Sequence, residues 1–219
     1  MSQAVFDKLA GHYDAWFDSA QGTALFHAEV ECLARLMPAD RSGWVEVGLG
    51  SGRFAQALGI PEGVDPSLPL LEMAAARGIR TAGGVAEKLP YGEDTLQGVL
   101  LVVTLCFLDD PDRAMQESAR VLQPGGRLLV GFVPADNAWG QDYMRKGKEG
   151  HPFYSAARFY TCSEALDIAG AAGFRLLRAA STLPMAPDEE LLEIPVSDGI
   201  IPGWGFVGML FGSGAPSGI

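Results

Sequence analysis

Apolar positions in this chain change rhythm near residue 44. Before it, Phe6, Leu9, Ala10, Tyr13 and Phe17 recur at helical spacing through residues 3 to 17. A second helical pattern runs from about Thr23 to Met37, where Pro38 stops it. Beyond it, short β-prone runs alternate with helical ones. Trp44 to Val47 precedes a helix from about Arg53 to Leu58. Glu62 to Asp65 precedes a helix from Leu68 to Arg77, with Ser67 as its expected N-cap and Gly78 at its end. Ile79 to Ala82 forms a third strand. Gly98 to Leu105 is apolar almost throughout, as a central parallel strand buried on both faces requires. Asp109-Asp110-Pro111 opens a helix through Val121 or Leu122, Pro124-Gly125-Gly126 turns the chain, and Arg127 to Val133 is a fifth strand. Five such alternations predict an α/β fold with a doubly wound parallel sheet.

Past residue 133 the pattern loosens. Residues 134 to 160 hold a polar, partly basic stretch and then an aromatic one with Phe153, Tyr154, Phe159 and Tyr160. Ser163 is the expected cap of a helix reaching Ala172. Phe174 to Leu183 and Trp204 to Phe211 read as late strands joined by an acidic, proline-containing loop, and 212 to 219 as a disordered tail. The 219 residues suit one domain. Its expected parts are a helical cap (1–40), a ligand-binding core (41–133), a segment shaping a second ligand's site together with the late strands (134–212), and a tail (213–219).

Composition narrows the function classes. A hydrophobic share of 48% with 20% charged residues is that of an ordinary soluble globular protein. The net charge of −11 argues against nucleic acid as a partner, which calls for a basic footprint. Cys32, Cys106 and Cys162 are scattered and odd in number. They fit neither a disulfide framework nor a metal site, so a reducing cytoplasm is expected. No signal peptide is visible at the N-terminus, and the longest apolar run, Val99 to Leu108, is too short to span a membrane.

The chemistry concentrates at Val45-Glu46-Val47-Gly48-Leu49-Gly50-Ser51-Gly52, a strand breaking into a glycine turn before a helix. Gly48 permits the sharp turn, Gly50 leaves room for a ligand against the backbone, and Gly52 allows the helix to pack close to the strand. The amides at the helix start favour negative charge. A dinucleotide fingerprint needs a third glycine where Arg53 stands and an acid about 20 residues on, whereas Asp65 comes sooner. NAD is therefore disfavoured, and a ligand carrying a ribose and an amino-acid ammonium fits better. Asp65, at a strand end, is suited to accept both ribose hydroxyls. Glu46 either orients the loop or receives the ammonium, with a buried structural role as the competing reading.

Val-Glu-Val-Gly-Leu-Gly-Ser-Gly, Gly-Val-Asp-Pro-Ser, Ala-Glu-Lys-Leu-Pro-Tyr and Ala-Arg-Val-Leu-Gln-Pro-Gly-Gly-Arg-Leu resemble, in order and spacing, the class I S-adenosylmethionine-dependent methyltransferases. The likeness is nearest to their ubiquinone/menaquinone (type 11) small-molecule group, and Tyr13-Asp14-x-Trp16-Phe17 is similar to that group's cap helix. The resemblance implies a Rossmann-like, mostly parallel seven-stranded sheet with helices on both faces and an antiparallel C-terminal strand. It implies S-adenosylmethionine as cofactor, S-adenosylhomocysteine as product and a small-molecule methyl acceptor. Gly48, Leu49 and Gly50 would line the methionine part with Glu46 beneath, Asp65 and Pro66 the ribose, Ala86 and Glu87 the adenine, and Val103 and Thr104 the cofactor's centre. Tyr13, on the cap, would reach the cofactor as well. Many relatives carry Asp where this chain has Val85, which leaves the adenine amino group to backbone or to Glu87.

Transfer from a sulfonium is an in-line displacement governed by alignment, so a base is needed only if the acceptor must lose a proton. No catalytic residue is assigned. His12, Tyr13, His151, Tyr154 and Tyr160 are the candidate bases, each with packing as its first reading, and Cys106 reads as core. The cap helix, joined to the core by a few residues, is expected to close over bound cofactor and wall the acceptor site. A non-catalytic cofactor-binding protein is the alternative of a different class.

Overall fold

The computed structural model describes residues 2–189 and 193–213. Helices α1 (Ser2–Trp16) and α2 (Ala20–Ala34) precede the alternating core, as the periodicity predicts. The core runs β1 (Trp44–Val47), α3 (Arg53–Leu58), β2 (Glu62–Asp65), α4 (Leu68–Ala76), β3 (Arg80–Gly83), β4 (Leu96–Val102), α5 (Pro111–Val121) and β5 (Leu122–Phe132). Then follow α6 (Ala138–Lys148), α7 (Cys162–Ala171), β6 (Phe174–Thr182), β7 (Ser197–Asp198) and β8 (Phe206–Ser213).

The sheet has eight strands in the order β3-β2-β1-β4-β5-β8-β6-β7. β1 to β5 pair in parallel, β8 inserts antiparallel between β5 and β6, and the two-residue β7 is the strand beyond the seven expected. The sheet is apolar on both faces because each central strand feeds two cores. Leu100 and Leu129 pack with Leu33, Trp44 and Phe206 on one side. Their neighbours Val99, Leu101, Leu128 and Val130 pack with Met115 and Phe174 on the other. The order of strands reverses at β1, which lies between β2 and β4, so the carboxyl ends of β1 and β4 border a crevice.

Several boundaries differ from expectation for identifiable reasons. α2 starts three residues before Thr23, since the Ser19 hydroxyl accepts the Gly22 amide at 3.0 Å. Ser67 stands at the N-cap of α4 without capping through its side chain. Instead Asp65 Oδ1 accepts the Ser67 amide at 2.8 Å. β4 ends at Val102, because Val103 adopts φ 52 and the apolar run bends into a 3-10 turn at Leu105–Phe107. α7 is capped by Thr161 in a reciprocal box with Glu164, in place of Ser163. α6, unforeseen, buries only Trp139 and Gly140, too few apolar positions to show a period. Gly212 and Ser213, expected in the tail, close β8 against β5 and β6; the remainder of that expectation, 214–219, lies outside the described residues.

Candidate functional site

Two cavities lie side by side at the carboxyl ends of the strands. The more polar one, about 190 Å³, covers the crevice beside β1. Nine of the residues singled out in the sequence line it: Tyr13, Gly48, Gly50, Asp65, Pro66, Ala86, Glu87, Val103 and Thr104. The other two do not. Leu49 is core, against Gly63. Glu46, on β1, is 1% exposed with Oε2 lacking any partner among the described residues. Burial pushes its carboxyl well above the usual range, against the pull of the Ala55 amide.

The glycine turn is built as its composition requires. Gly48 has φ 76, and a Cβ there would collide with the Thr104 side chain. Its amide and that of Leu49 both donate to the Val64 carbonyl, at 2.8 and 3.0 Å, tying the turn to β2. At Gly50 a Cβ would meet only the Tyr13 ring, at 3.5 Å. Gly52 is tight for a different reason than expected. Its near neighbour is Ala74 of α4, 2.9 Å from a Cβ built there, and not the strand. The cavity lining stops at Gly50, so the first turn of the six-residue α3 is not part of this wall.

Asp65 braces the turn: Oδ2 accepts the Gly50 amide and Oδ1 that of Ser67, both at 2.8 Å. Each oxygen keeps a lone pair for a further donor. Burial raises this carboxyl, partly offset by those two amides. Ser67 also lines the cavity, and its hydroxyl has no partner among the described residues. At the far end, Glu87 Oε1 accepts the Asp109 and Asp110 amides at 3.1 and 3.2 Å. Beside it Val85 is exposed, and Asp109 is a second acid lining this end of the cavity.

The second cavity, about 260 Å³, is lined mostly by aromatic rings, and Phe6, Tyr13, Val103 and Phe107 line both. Phe6 meets Tyr13 and Phe107 edge-on, with ring centroids 5.5 and 5.1 Å away, and lies tilted against Phe153 at 5.1 Å. Val103 joins the cavities through a left-handed backbone that a β-branched residue adopts at a cost of about 1–3 kcal/mol. All five candidate bases and Cys106 border this second cavity. Burial holds the Tyr13 hydroxyl protonated and pushes the Cys106 thiol up to about 12. His151 is shifted down, by burial and then by Lys146 and His12. Its ring stacks on Tyr154 at 4.3 Å, and Tyr154 on Tyr143 at 4.4 Å.

Sequence reasoning missed Glu29, Trp139 and Tyr143 in this second cavity. Glu29 had a signal: Leu25, Glu29 and Leu33 are spaced by four, so the acid shares the apolar face of α2. Among the described residues no group of acids, histidines or cysteines is placed to hold a metal ion.

A methyltransferase-domain family model matches residues 45–130. A Thermotoga maritima structure described as a SAM-dependent methyltransferase, possible histamine N-methyltransferase, superposes with a TM-score of 0.89 at 34% identity. It covers 97% of this chain and 99% of that one. The uncharacterized protein Rv2003c of Mycobacterium tuberculosis is 38% identical over 199 residues, 90% of this chain and 70% of its own length. A demethylmenaquinone methyltransferase of Mycobacterium bovis matches more locally, at 39% over 66 residues, 30% of this chain and 28% of its own.

Proposed function

This chain belongs to the S-adenosylmethionine-dependent methyltransferases, and we propose that it moves a methyl group, by in-line displacement, onto a small acceptor seated among the aromatic rings. The observation that carries this reading is the pairing of the cavities: the more polar one over the glycine turn shares four lining residues with an aromatic one. Two ligands bound there would face each other across Phe6, Tyr13, Val103 and Phe107.

The residues of the polar cavity fit S-adenosylmethionine. Its base is glycine backbone, Asp65 has lone pairs to spare for ribose hydroxyls beside Pro66, and the Ser67 hydroxyl lacks a partner among the described residues, as does Glu46 Oε2 outside the lining on β1. Gly48, Leu49 and Gly50 would hold the methionine part, Ala86 and the backbone around Val85 the adenine, Val103 and Thr104 the centre, and Tyr13 would cover it. Glu87 is committed to the turn before α5, so the adenine is held mainly by backbone and shape. Bound there, the cofactor supplies a methyl group already activated as a sulfonium.

What the chain's residues add is alignment and dryness. The rings of α1 exclude water at the shared wall, and the acceptor cavity fixes the angle of approach. Neither Tyr13 nor Cys106 is a proton acceptor near neutral pH. His151, shifted toward its neutral form, and Glu29 are the groups available if the acceptor must lose a proton. The chain is read as cytoplasmic because its three cysteines are free thiols, and no described helix is long and apolar enough to cross a membrane.

Calorimetry with S-adenosylhomocysteine and NAD, then a panel of amines, phenols, quinols, thiols and carboxylates scored by S-adenosylhomocysteine release, tests this. Histamine belongs in that panel because of the Thermotoga relative. Selective binding of S-adenosylhomocysteine and turnover of at least one acceptor class are expected. Tight NAD binding in its place would overturn the reading.

A further inference from the structure

Among the described residues, Glu29 is the one carboxylate lining the aromatic cavity. It is 8% exposed, and among the described residues it makes neither a hydrogen bond nor an ion pair through its side chain. Glu46, whose Oε2 also lacks a partner among the described residues, lies outside this cavity, and several other acids of the fold are provided for. Asp14 holds two arginines, Glu117 binds Arg120 and the Leu89 amide, and Asp65 accepts two amides. A carboxylate left alone in apolar surroundings is disfavoured in its charged form. Leucine or glutamine would serve α2 better if packing were its only task. The position calls for a countercharge that the described residues do not supply.

The surroundings favour a cation as well. More than half of the residues lining the cavity are Phe, Tyr or Trp. Ring faces attract an organic cation within about 6 Å. Tyr13, Tyr143 and Tyr154 line the same cavity, their hydroxyls raised by burial first and by Glu29 as a smaller influence. The cavity also contains a lysine, which would favour an anion were it free. Lys146 Nζ, however, sits 2.7 Å from Asp142 Oδ2 and 5.8 Å from the Tyr143 ring centre, so its charge is already matched. Among the described residues of this space, the carboxyl or ammonium group left without a partner of opposite charge is the Glu29 carboxyl.

We infer that Glu29 is the anchor of a positively charged acceptor, an organic amine with an aromatic or compact apolar body, whose cationic nitrogen lies between the Glu29 carboxylate and the surrounding rings. This rests on the methyl-transfer reading only in naming the bound amine as the acceptor. The cation site itself follows from the cavity and its unpartnered acid.

Three probes of one shape isolate the charge: 2-phenylethylamine, the neutral 2-phenylethanol and the anionic 3-phenylpropionate. They are titrated calorimetrically at a pH of about 8, where the amine remains protonated, into protein saturated with S-adenosylhomocysteine. The amine should bind roughly tenfold or more tighter than the other two, about 1.4 kcal/mol or more. Glu29→Gln should remove that preference while leaving 2-phenylethanol and S-adenosylhomocysteine binding unchanged, and Glu29→Asp should keep part of it. Equal affinity for the amine in wild type and Glu29→Gln, a preference for the carboxylate, or no binding by any probe would overturn the inference. Because the probe preference is read in the wild type, a poorly folding variant leaves it testable. Failure of S-adenosylhomocysteine to bind would count against the methyl-transfer reading alone, since the amine preference is then measured on the free protein.

Discussion

Asp14 on α1 holds Arg77, at the end of α4, through both carboxylate oxygens, at 3.0 and 2.8 Å. The same carboxylate takes Arg53 at 2.7 and 2.9 Å, and Arg77 reaches on to the Ser51 carbonyl at 2.8 Å. The second half of the cap helix is thereby fastened to the core beside the glycine turn. Its first half is separate in geometry, because Leu9 leaves helical angles at φ −114, ψ 20. Gln3 and Phe6, which line the polar cavity, lie before that kink. Closure over a ligand is therefore expected of residues 2 to 8 only. Amide exchange there should slow when S-adenosylhomocysteine is added, while residues 10 to 16 are protected from the start. Protection appearing uniformly along the helix on ligand addition would sink the hinge at Leu9.

Replacing Asp14 with Asn should cost on the order of 2 kcal/mol in urea unfolding, since it leaves the partly buried Arg77 without its countercharge and Arg53 with only the exposed Asp18. The arginines hold the Asp14 carboxyl well below its usual range. Its contribution to stability is present above the unfolded value of 3.8 and is lost as the pH falls below it. Wild type and variant should therefore converge in strong acid. A constant gap down to the acid limit would assign the loss to packing.

The core from β1 to β2 was legible to the residue because local rules there agree with the tertiary fold. β-prone runs end in glycine or proline, and α3 is stopped by Gly59. Much of the lining of the more polar cavity was legible for the same reason, since Gly48, Gly50 and Asp65 sit within one contiguous strand–turn–helix–strand unit. The aromatic cavity was legible only in part, through the five candidate bases that border it. Its wall gathers Tyr13, Phe54, Tyr143 and Tyr160 from elements far apart in the chain, and no local periodicity records that meeting. Glu29 was hidden for a related reason, because a single acid on an apolar helix face gains meaning only from what the face covers.

Gly48 and Gly50 should fail differently when substituted. Gly48→Ala places a methyl into Thr104 at a positive φ, so the loss should appear first as lowered melting temperature. At Gly50 a side chain has open space apart from Tyr13, so Gly50→Val should abolish S-adenosylhomocysteine binding with a smaller loss of stability, set by its φ of 54. Calorimetry beside thermal melts separates the two. Normal binding by Gly50→Val would remove the glycine turn from the cofactor site.

Asp65→Ala should weaken S-adenosylhomocysteine binding by about 1.5–3 kcal/mol, the range for hydrogen bonds to a charged group. It should also lower stability, because the Gly50 and Ser67 amides lose their acceptor. Asp65→Asn keeps one acceptor oxygen, so it should recover part of the stability and less of the affinity. Unchanged affinity in Asp65→Ala would move the ribose site elsewhere.

Glu29 makes a prediction about pH that needs no ligand. Burial raises its carboxyl from 4.5 to about 8, so between those values the folded protein holds a proton that the unfolded chain has lost. Its contribution is full below the unfolded value and is given up as pH rises through the folded one, on the order of a few kcal/mol at most. Other groups face it: Tyr13 from α1, Cys32 from α2 itself, and Tyr143 and Tyr154 from the opposite wall, with Lys146, His12 and His151 bordering the same space. Glu46 and Asp65 are raised too and act with the same sign, but they remain in a Glu29→Gln variant and cancel in the comparison. Urea midpoints for wild type and Glu29→Gln, followed from a pH of about 5 to about 8.5, should therefore diverge, with the wild type losing ground as the pH rises. Adding 2-phenylethylamine at the alkaline end should restore the wild type and leave the variant where it was. Parallel curves would mean that Glu29 is solvated or paired in solution, and the cation site would lose its physical basis.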